Sequence, residues 1–178
     1  MRITQTTDVA DLKILSTIST DIRPDDPLIG LLARRMYLSV TAAQGVGIAA
    51  PQVGINRNVI WVMRFDKPGQ PFECYINPKI AWKSELMQLG AEGCLSIPDV
   101  RDSVVRSYAI QLSYSTLSGA HQTEVVEGFT AVIFQHEIDH LYGVLFPQRV
   151  DEQNTQTYGK SEERGKVLLY NKANTKRL

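Results

Sequence analysis

The chain has 178 residues, 43% of them hydrophobic and 21% charged, the balance of an ordinary globular protein able to bury a real core. Nineteen basic and nineteen acidic side chains cancel, so charge points to neither a nucleic acid nor a membrane surface as partner. No apolar stretch approaches the roughly 20 residues that cross a bilayer. The polar N-terminus does not read as a secretory signal, and two cysteines make no disulfide framework, so a reducing cytosol is the expected setting.

The length fits one domain over residues 1–178, with the informative motifs between about 25 and 150 and an uncertain tail at 151–178. Asp25 to Gly45 reads as a helix. Asp25-Asp26-Pro27 offers a cap and an early proline, and Leu28, Leu31, Leu32, Met36, Leu38 and Val40 supply its apolar face. Gly45 to Gly54 is a glycine-punctuated loop. Asn58 to Phe65 is β-branched and aromatic, hence a strand, with Lys67-Pro68-Gly69 as its turn. Glu73 to Ile76 is a short strand that Asn77-Pro78 closes, and Lys79 to Gly90 is strand and turn. Further strands cover Val100 to Val105, Ala109 to Ser115 and Thr123 to Glu127, with Leu117 to Ala120 as a hairpin turn. Gly128 opens a largely buried helix over Phe129 to Tyr142, which Gly143 caps. Beyond Val150, Asp151 to Arg164 is polar, and Lys166 to Tyr170 suits strand or helix equally. The pattern predicts an α+β fold: short, mainly antiparallel strands around a central helix.

That central helix carries Phe134-Gln135-His136-Glu137-Ile138-Asp139-His140-Leu141, which holds two of the chain's three histidines. Helical residues four apart share a face, with Cβ atoms roughly 5–6 Å apart, so two imidazoles can bind one metal ion while Glu137 serves as general base. The plainer reading is an exposed polar helix that happens to carry two histidines. A catalytic site of this kind normally takes three protein ligands. His121 sits in a hairpin turn and reads as a surface residue. Cys74 lies in an apolar run and reads as a small core residue. Cys94, in Glu92-Gly93-Cys94-Leu95-Ser96-Ile97-Pro98, is the better candidate, although a lone cysteine is more often structural.

Taken together, three segments resemble the peptide deformylases: the glycine-rich Gly45 to Gln52, Glu92 to Ser96, and Gln135 to Leu141. The resemblance spans residues 25 to 150 or so. It implies Cys94, His136 and His140 as metal ligands and Glu137 as acid and base. It implies Gln52 and the Leu95 backbone N–H as donors to the developing oxyanion, with Gly47 meeting the formyl group. Val46, Phe129, Val132 and Ile133 would line a pocket for methionine, and Arg101 would contact the peptide. Without the resemblance, the apolar positions read as core and Arg101 as a solvated charge. The implied activity is metal-dependent removal of the N-formyl group from the formylmethionine of new polypeptides, releasing formate. The implied setting is the cytoplasm of a bacterial or organellar translation system, with nascent chains met at the ribosome exit.

One divalent ion is expected, iron(II) by the resemblance, though a thiolate and two imidazoles also accept zinc, nickel or cobalt. Two other readings make different demands. A zinc endopeptidase would need a third ligand after the helix, yet no histidine follows His140 and no glutamate occurs until Glu152. A non-catalytic binding module would be expected to have lost a ligand or Glu137, and none is lost. The chain also departs from the family. An acidic residue usually precedes the glycine-rich motif and pairs with an arginine; here Gln44 and Arg106 occupy those places, so no such pair is expected. The N-terminus matches only loosely, through Asp11 to Leu15. Lys160 to Leu178, with Gly165, Asn171 and Asn174, is a poor long amphipathic helix, which leaves the subclass open.

Overall fold

Two antiparallel sheets contribute strands to the packing around one buried helix. The computed structural model describes residues 1–23, 25–163 and 165–174. In chain order the elements are α1 (Val9–Leu15), α2 (Ile29–Ala42), β1 (Gly47–Ala49), β2 (Val59–Met63), β3 (Phe72–Lys83), β4 (Met87–Cys94), β5 (Ile97–Ser107), β6 (Ala109–Ser115), β7 (His121–Glu127), α3 (Gly128–Leu141), α4 (Phe146–Asn154), β8 (Tyr158–Glu163) and β9 (Lys166–Asn171). The larger sheet runs β1-β2-β3-β6-β7 and the smaller β5-β4-β9-β8. Helix α3 touches β1, β2, β6 and β7 of the first and β4 and β5 of the second.

The strands follow from their residues. In β6, Ala109, Ile110, Leu112 and Tyr114 are buried while Gln111, Ser113 and Ser115 are less so, the alternation of a sheet with one face on the core. Against that face lie Ala131, Phe134, Ile138 and Leu141 of α3, with Ile60, Val62 and Tyr75. Phe134 is fully buried, edge-on to Tyr75 with ring centroids 4.7 Å apart. Truncating it to alanine would cost about 3–5 kcal/mol. A second cluster joins Met36 and Val40 of α2 to Ile48, Val53, Val59 and Ile76.

Several local features differ from the sequence reading. Helix α1 was not foreseen; Asp8 caps it, accepting from the N–H groups of Ala10 and Asp11. Helix α2 starts at Ile29 rather than near Asp25, so Pro27 lies ahead of it, and its buried stripe is Leu32, Met36 and Val40 while Leu28, Leu31 and Leu38 face outward. The glycine-rich loop contains the short strand β1 and a tight 3₁₀ turn over Ala50–Val53. Asn77-Pro78 does not end a strand. β3 passes through it by a bulge, with Asn77 at φ 50° and its side chain bonded to both backbone groups of Ile22. Lys166 to Tyr170 is strand, in a hairpin with β8, and β9 meets β4 at Met87 opposite Leu169. The described part of Lys160 to Leu178 is therefore largely hairpin; Arg164 and residues 175–178 lie outside the described residues. Among the described residues no helix is long and apolar enough to cross a membrane.

Candidate active site

Every residue of α3 from Thr130 to Leu141 is buried, so its polar side chains must find partners inside the protein. The four-residue spacing brings the rings of His136 and His140 to 5.1 Å, centroid to centroid. Cys94 arrives from the end of β4, where the chain turns tightly into β5 and Cys94 pairs with Ile97. Its Sγ lies 3.2 Å from His140 Nε2. One ligand atom from each of Cys94, His136 and His140 falls within 4.8 Å of the others.

Glu92 sets the orientation of His136. Its Oε2 accepts from His136 Nδ1 at 2.8 Å, which leaves Nε2 as the free lone pair of that ring. Arg106 forks onto Glu92 at 2.8 and 2.9 Å and also donates to Asp139 at 2.5 Å. Arg149 of α4 donates to both oxygens of Asp139, at 3.0 and 2.6 Å. Arg106 therefore has its ion pairs, with Glu92 and Asp139; the sequence reading had looked for a partner only at residue 44. The pairing needed a fold in which β4, β5 and α3 converge, which local spacing does not announce.

Electrostatics separate the two cysteines. Burial alone pushes the Cys74 thiol up to about 12, the environment of an inert core residue. Burial acts on Cys94 in the same direction, but His140 and His136 outweigh it and bring the thiol down to about 5. For Glu92 and Asp139, burial would raise the carboxyls, and the hydrogen bonds from their arginines hold both below the usual range. Glu137 has no arginine. Burial raises its carboxyl to about 7, partly opposed by His136 and His140, and its Oε2 has no hydrogen-bond partner among the described residues.

Glu92, Cys94, His136 and Glu137 open onto a cavity of about 830 Å³. The six residues expected at a substrate pocket, Val46, Gly47, Arg101, Phe129, Val132 and Ile133, all line it, as do Gln52, Cys94, Leu95, His136 and Glu137. Val132 and Ile133 are buried while Phe129 stands 52% exposed at the rim. Ile133 is also part of the main core, so it lines the cavity and packs against the core at once. Gln52 is buried and bifunctional: Oε1 accepts from the Ala49 N–H at 2.8 Å, and Nε2 points at Cys94 Sγ from 3.5 Å. His121 is exposed on β7, away from this cluster, as expected of a surface residue. Sequence reasoning missed Glu92, Arg106, Asp139 and Arg149 as a connected group. Glu92 and Asp139 sat inside the quoted motifs, the one signal that could have raised them.

The polypeptide deformylase family profile matches residues 3–156. The chain belongs to the peptide deformylase family. A curated peptide deformylase from Synechocystis sp. is 41% identical over 140 residues, covering 78% of this chain and 75% of that protein. Another from Caulobacter sp. is 43% identical over 148 residues, covering 82% and 84%. Among solved structures, a class I type b peptide deformylase from Acinetobacter baumannii superposes with a TM-score of 0.77 at 37% identity, over 84% of this chain and 97% of that one. Two antiparallel sheets with four helices are thus the peptide deformylase architecture.

Proposed function

We propose that the chain is a metal-dependent amidohydrolase that removes the N-formyl group from the formylmethionine of newly made polypeptides and releases formate. The observation that carries this reading is the convergence of ligand atoms of Cys94, His136 and His140 within 4.8 Å of one another, with Cys94, His136, Glu137 and Gln52 lining one cavity. Residues 1–178 act as one catalytic unit, a reading supported by the pairing of β9 with β4, the strand that ends at Cys94.

The three donors suit a divalent cation. His140 and His136 favour the thiolate of Cys94, and Glu92 fixes one imidazole lone pair on His136. Iron(II) is the native ion in this reading, with zinc, nickel or cobalt able to occupy the same donors. When bound, the cation supplies Lewis acidity that polarises the formyl carbonyl and makes a water nucleophilic at neutral pH.

The chain's own residues do the rest. Glu137 takes a proton from the attacking water and delivers it to the departing amine nitrogen as the C–N bond breaks; burial favours its protonated form, the one needed for the second step. Gln52 Nε2 and the Leu95 N–H donate to the oxygen as charge develops on it. Gly47, without a side chain, leaves room for the formyl group. Val46, Phe129, Val132 and Ile133 hold the methionine side chain, an unbranched thioether suited to an apolar slot, and Arg101 contacts the following peptide. The setting is the cytoplasm, on nascent chains at the ribosome exit.

A zinc endopeptidase would use a downstream carboxylate. Glu152 is engaged with Arg149 at 2.8 Å, and the third donor beside the histidines is Cys94. The decisive experiment is formate release from a formyl-Met peptide by protein prepared anaerobically with stoichiometric iron(II). Absence of formate under those conditions would overturn the assignment.

A further inference from the structure

Strand β4 is paired with β5 along one edge, but on its other edge β9 reaches it only at Met87 opposite Leu169. From Gln88 to Cys94 that second edge carries no strand among the described residues. An open edge is a template for an added strand. Its two halves face two cavities. Ala91 to Cys94 line the active-site cavity, while Gln88 and Leu89 line a second cavity of about 420 Å³ between β4, the β8–β9 hairpin and the start of α3. Phe129 lines both.

The second cavity has a definite chemical character. Leu89, Phe129 and Val167 are each more than half exposed there, an unusual concentration of large apolar side chains at one opening. Lys160 and Lys166 are its charged lining residues, and among the described residues no carboxylate lines it; Glu163 stands opposite Lys166 in the β8–β9 hairpin. Lys166 Nζ is steadied at 3.0 Å from the Tyr108 hydroxyl and 5.2 Å from the centroid of its ring.

We propose that this second cavity is a downstream subsite for the substrate chain itself, selective for acidic side chains. The proposal rests on the deformylase reading, which puts the formylated end of the substrate beside Cys94. A chain laid along the open edge advances about 3.3 Å per residue, so the five steps from Cys94 to Leu89 take it about 17 Å. Its fifth or sixth residue then lies over Leu89. There the stem of the side chain packs against Leu89, Phe129 and Val167, and a carboxylate meets the two ammonium groups. Because the contact is remote from the reacting atoms, it contributes equally to ground state and transition state and appears in KM rather than kcat.

The test uses formyl-Met octapeptides that differ only in carrying Glu, Ser or Lys at positions five and six. Wild type should prefer Glu over Lys by about two- to fivefold in kcat/KM, through KM, with the preference shrinking at high salt. The Glu-to-Lys ratio should invert in Lys160→Glu and in the Lys160→Glu/Lys166→Glu double variant; a ratio taken within one protein is insensitive to partial loss of folded enzyme. Equal kcat/KM for the three peptides in wild type, or a Glu preference that survives both variants, overturns the subsite. Failure of wild type to release formate even from formyl-Met-Ala would instead overturn the deformylase reading beneath it.

Discussion

Gly47 faces Glu137 so closely that a Cβ at residue 47 would stand 2.5 Å from the Glu137 Oε1 and 2.9 Å from its Cδ. The backbone of β1 and the carboxylate of α3 share a space that only glycine leaves open. Gly47→Ala should push the carboxylate off its position, and misplacement on the order of 1 Å can cost about 10²-fold in rate. The expected outcome is a fall in kcat of that order with little change in melting temperature. Unchanged kcat in a folded variant would show that the carboxylate's position at Gly47 is immaterial.

Glu137→Gln keeps the shape of the side chain and removes the proton acceptor. Turnover should fall about 10²–10⁴-fold while metal content stays stoichiometric. Elemental analysis and formate release on one preparation check both halves, and near-normal activity would exclude Glu137 as the base.

Gln52 has two separable duties, its oxygen on the Ala49 N–H and its amide nitrogen toward the site. Gln52→Leu loses both. We expect a lowered melting temperature together with a fall of about 10²–10³-fold in kcat per folded molecule, the cost of one oxyanion donor. A destabilised enzyme with unchanged kcat per folded molecule would reduce Gln52 to a loop cap.

Arg106 neutralises two buried carboxylates at once, Glu92 and Asp139. Removing one partner of a buried ion pair costs about 3–5 kcal/mol, because the other charge is left uncompensated. Arg106→Met should destabilise by about that amount in urea unfolding and loosen the hold on His136. A change under about 1 kcal/mol would mean that water reaches these carboxylates.

Acid should act on the ion-pair cluster around Arg64 as well as on Glu92 and Asp139. Asp66 is held low by its hydrogen bonds from Arg64 against the effect of burial. For Glu73 burial acts upward, and Lys67 and Tyr75 overcome it. Both carboxyls have depressed values in the folded state, so their stabilisation is complete above the ordinary carboxylate range of about 4 and is lost as pH falls through the depressed values. Melting temperature followed from pH 6 to pH 2 should fall below about pH 4, and an Arg64→Met variant should show a shallower fall. Identical profiles would remove this cluster from the acid response.

The candidate site residues could be picked out because they sit in short contiguous motifs with chemically constrained spacing. The cluster holding them could not. Glu92 and Arg106 are 14 residues apart, and Asp139 reaches Arg106 across 33, so no periodicity links them. Strands with β-branched runs, such as β2, were readable from composition. The hidden elements were the ones whose residues argue against their state: β8 places Lys160, Glu162 and Glu163 in a strand at the edge of its sheet, where charge is tolerated. Helix α1, at seven residues, is too short for a periodic stripe, and only the capping Asp8 marked it.

Helix α3 has no solvent side from Thr130 to Leu141. Its amides can therefore exchange their hydrogens only when the surrounding structure opens as a whole, whereas the exposed rim at Phe129 and the open edge of β4 can breathe locally. The two histidines thus sit on a fully buried helix, while Cys94 stands at the end of β4, beside its open edge. Substitutions inside α3 are accordingly screened by folding before they are ever screened by turnover.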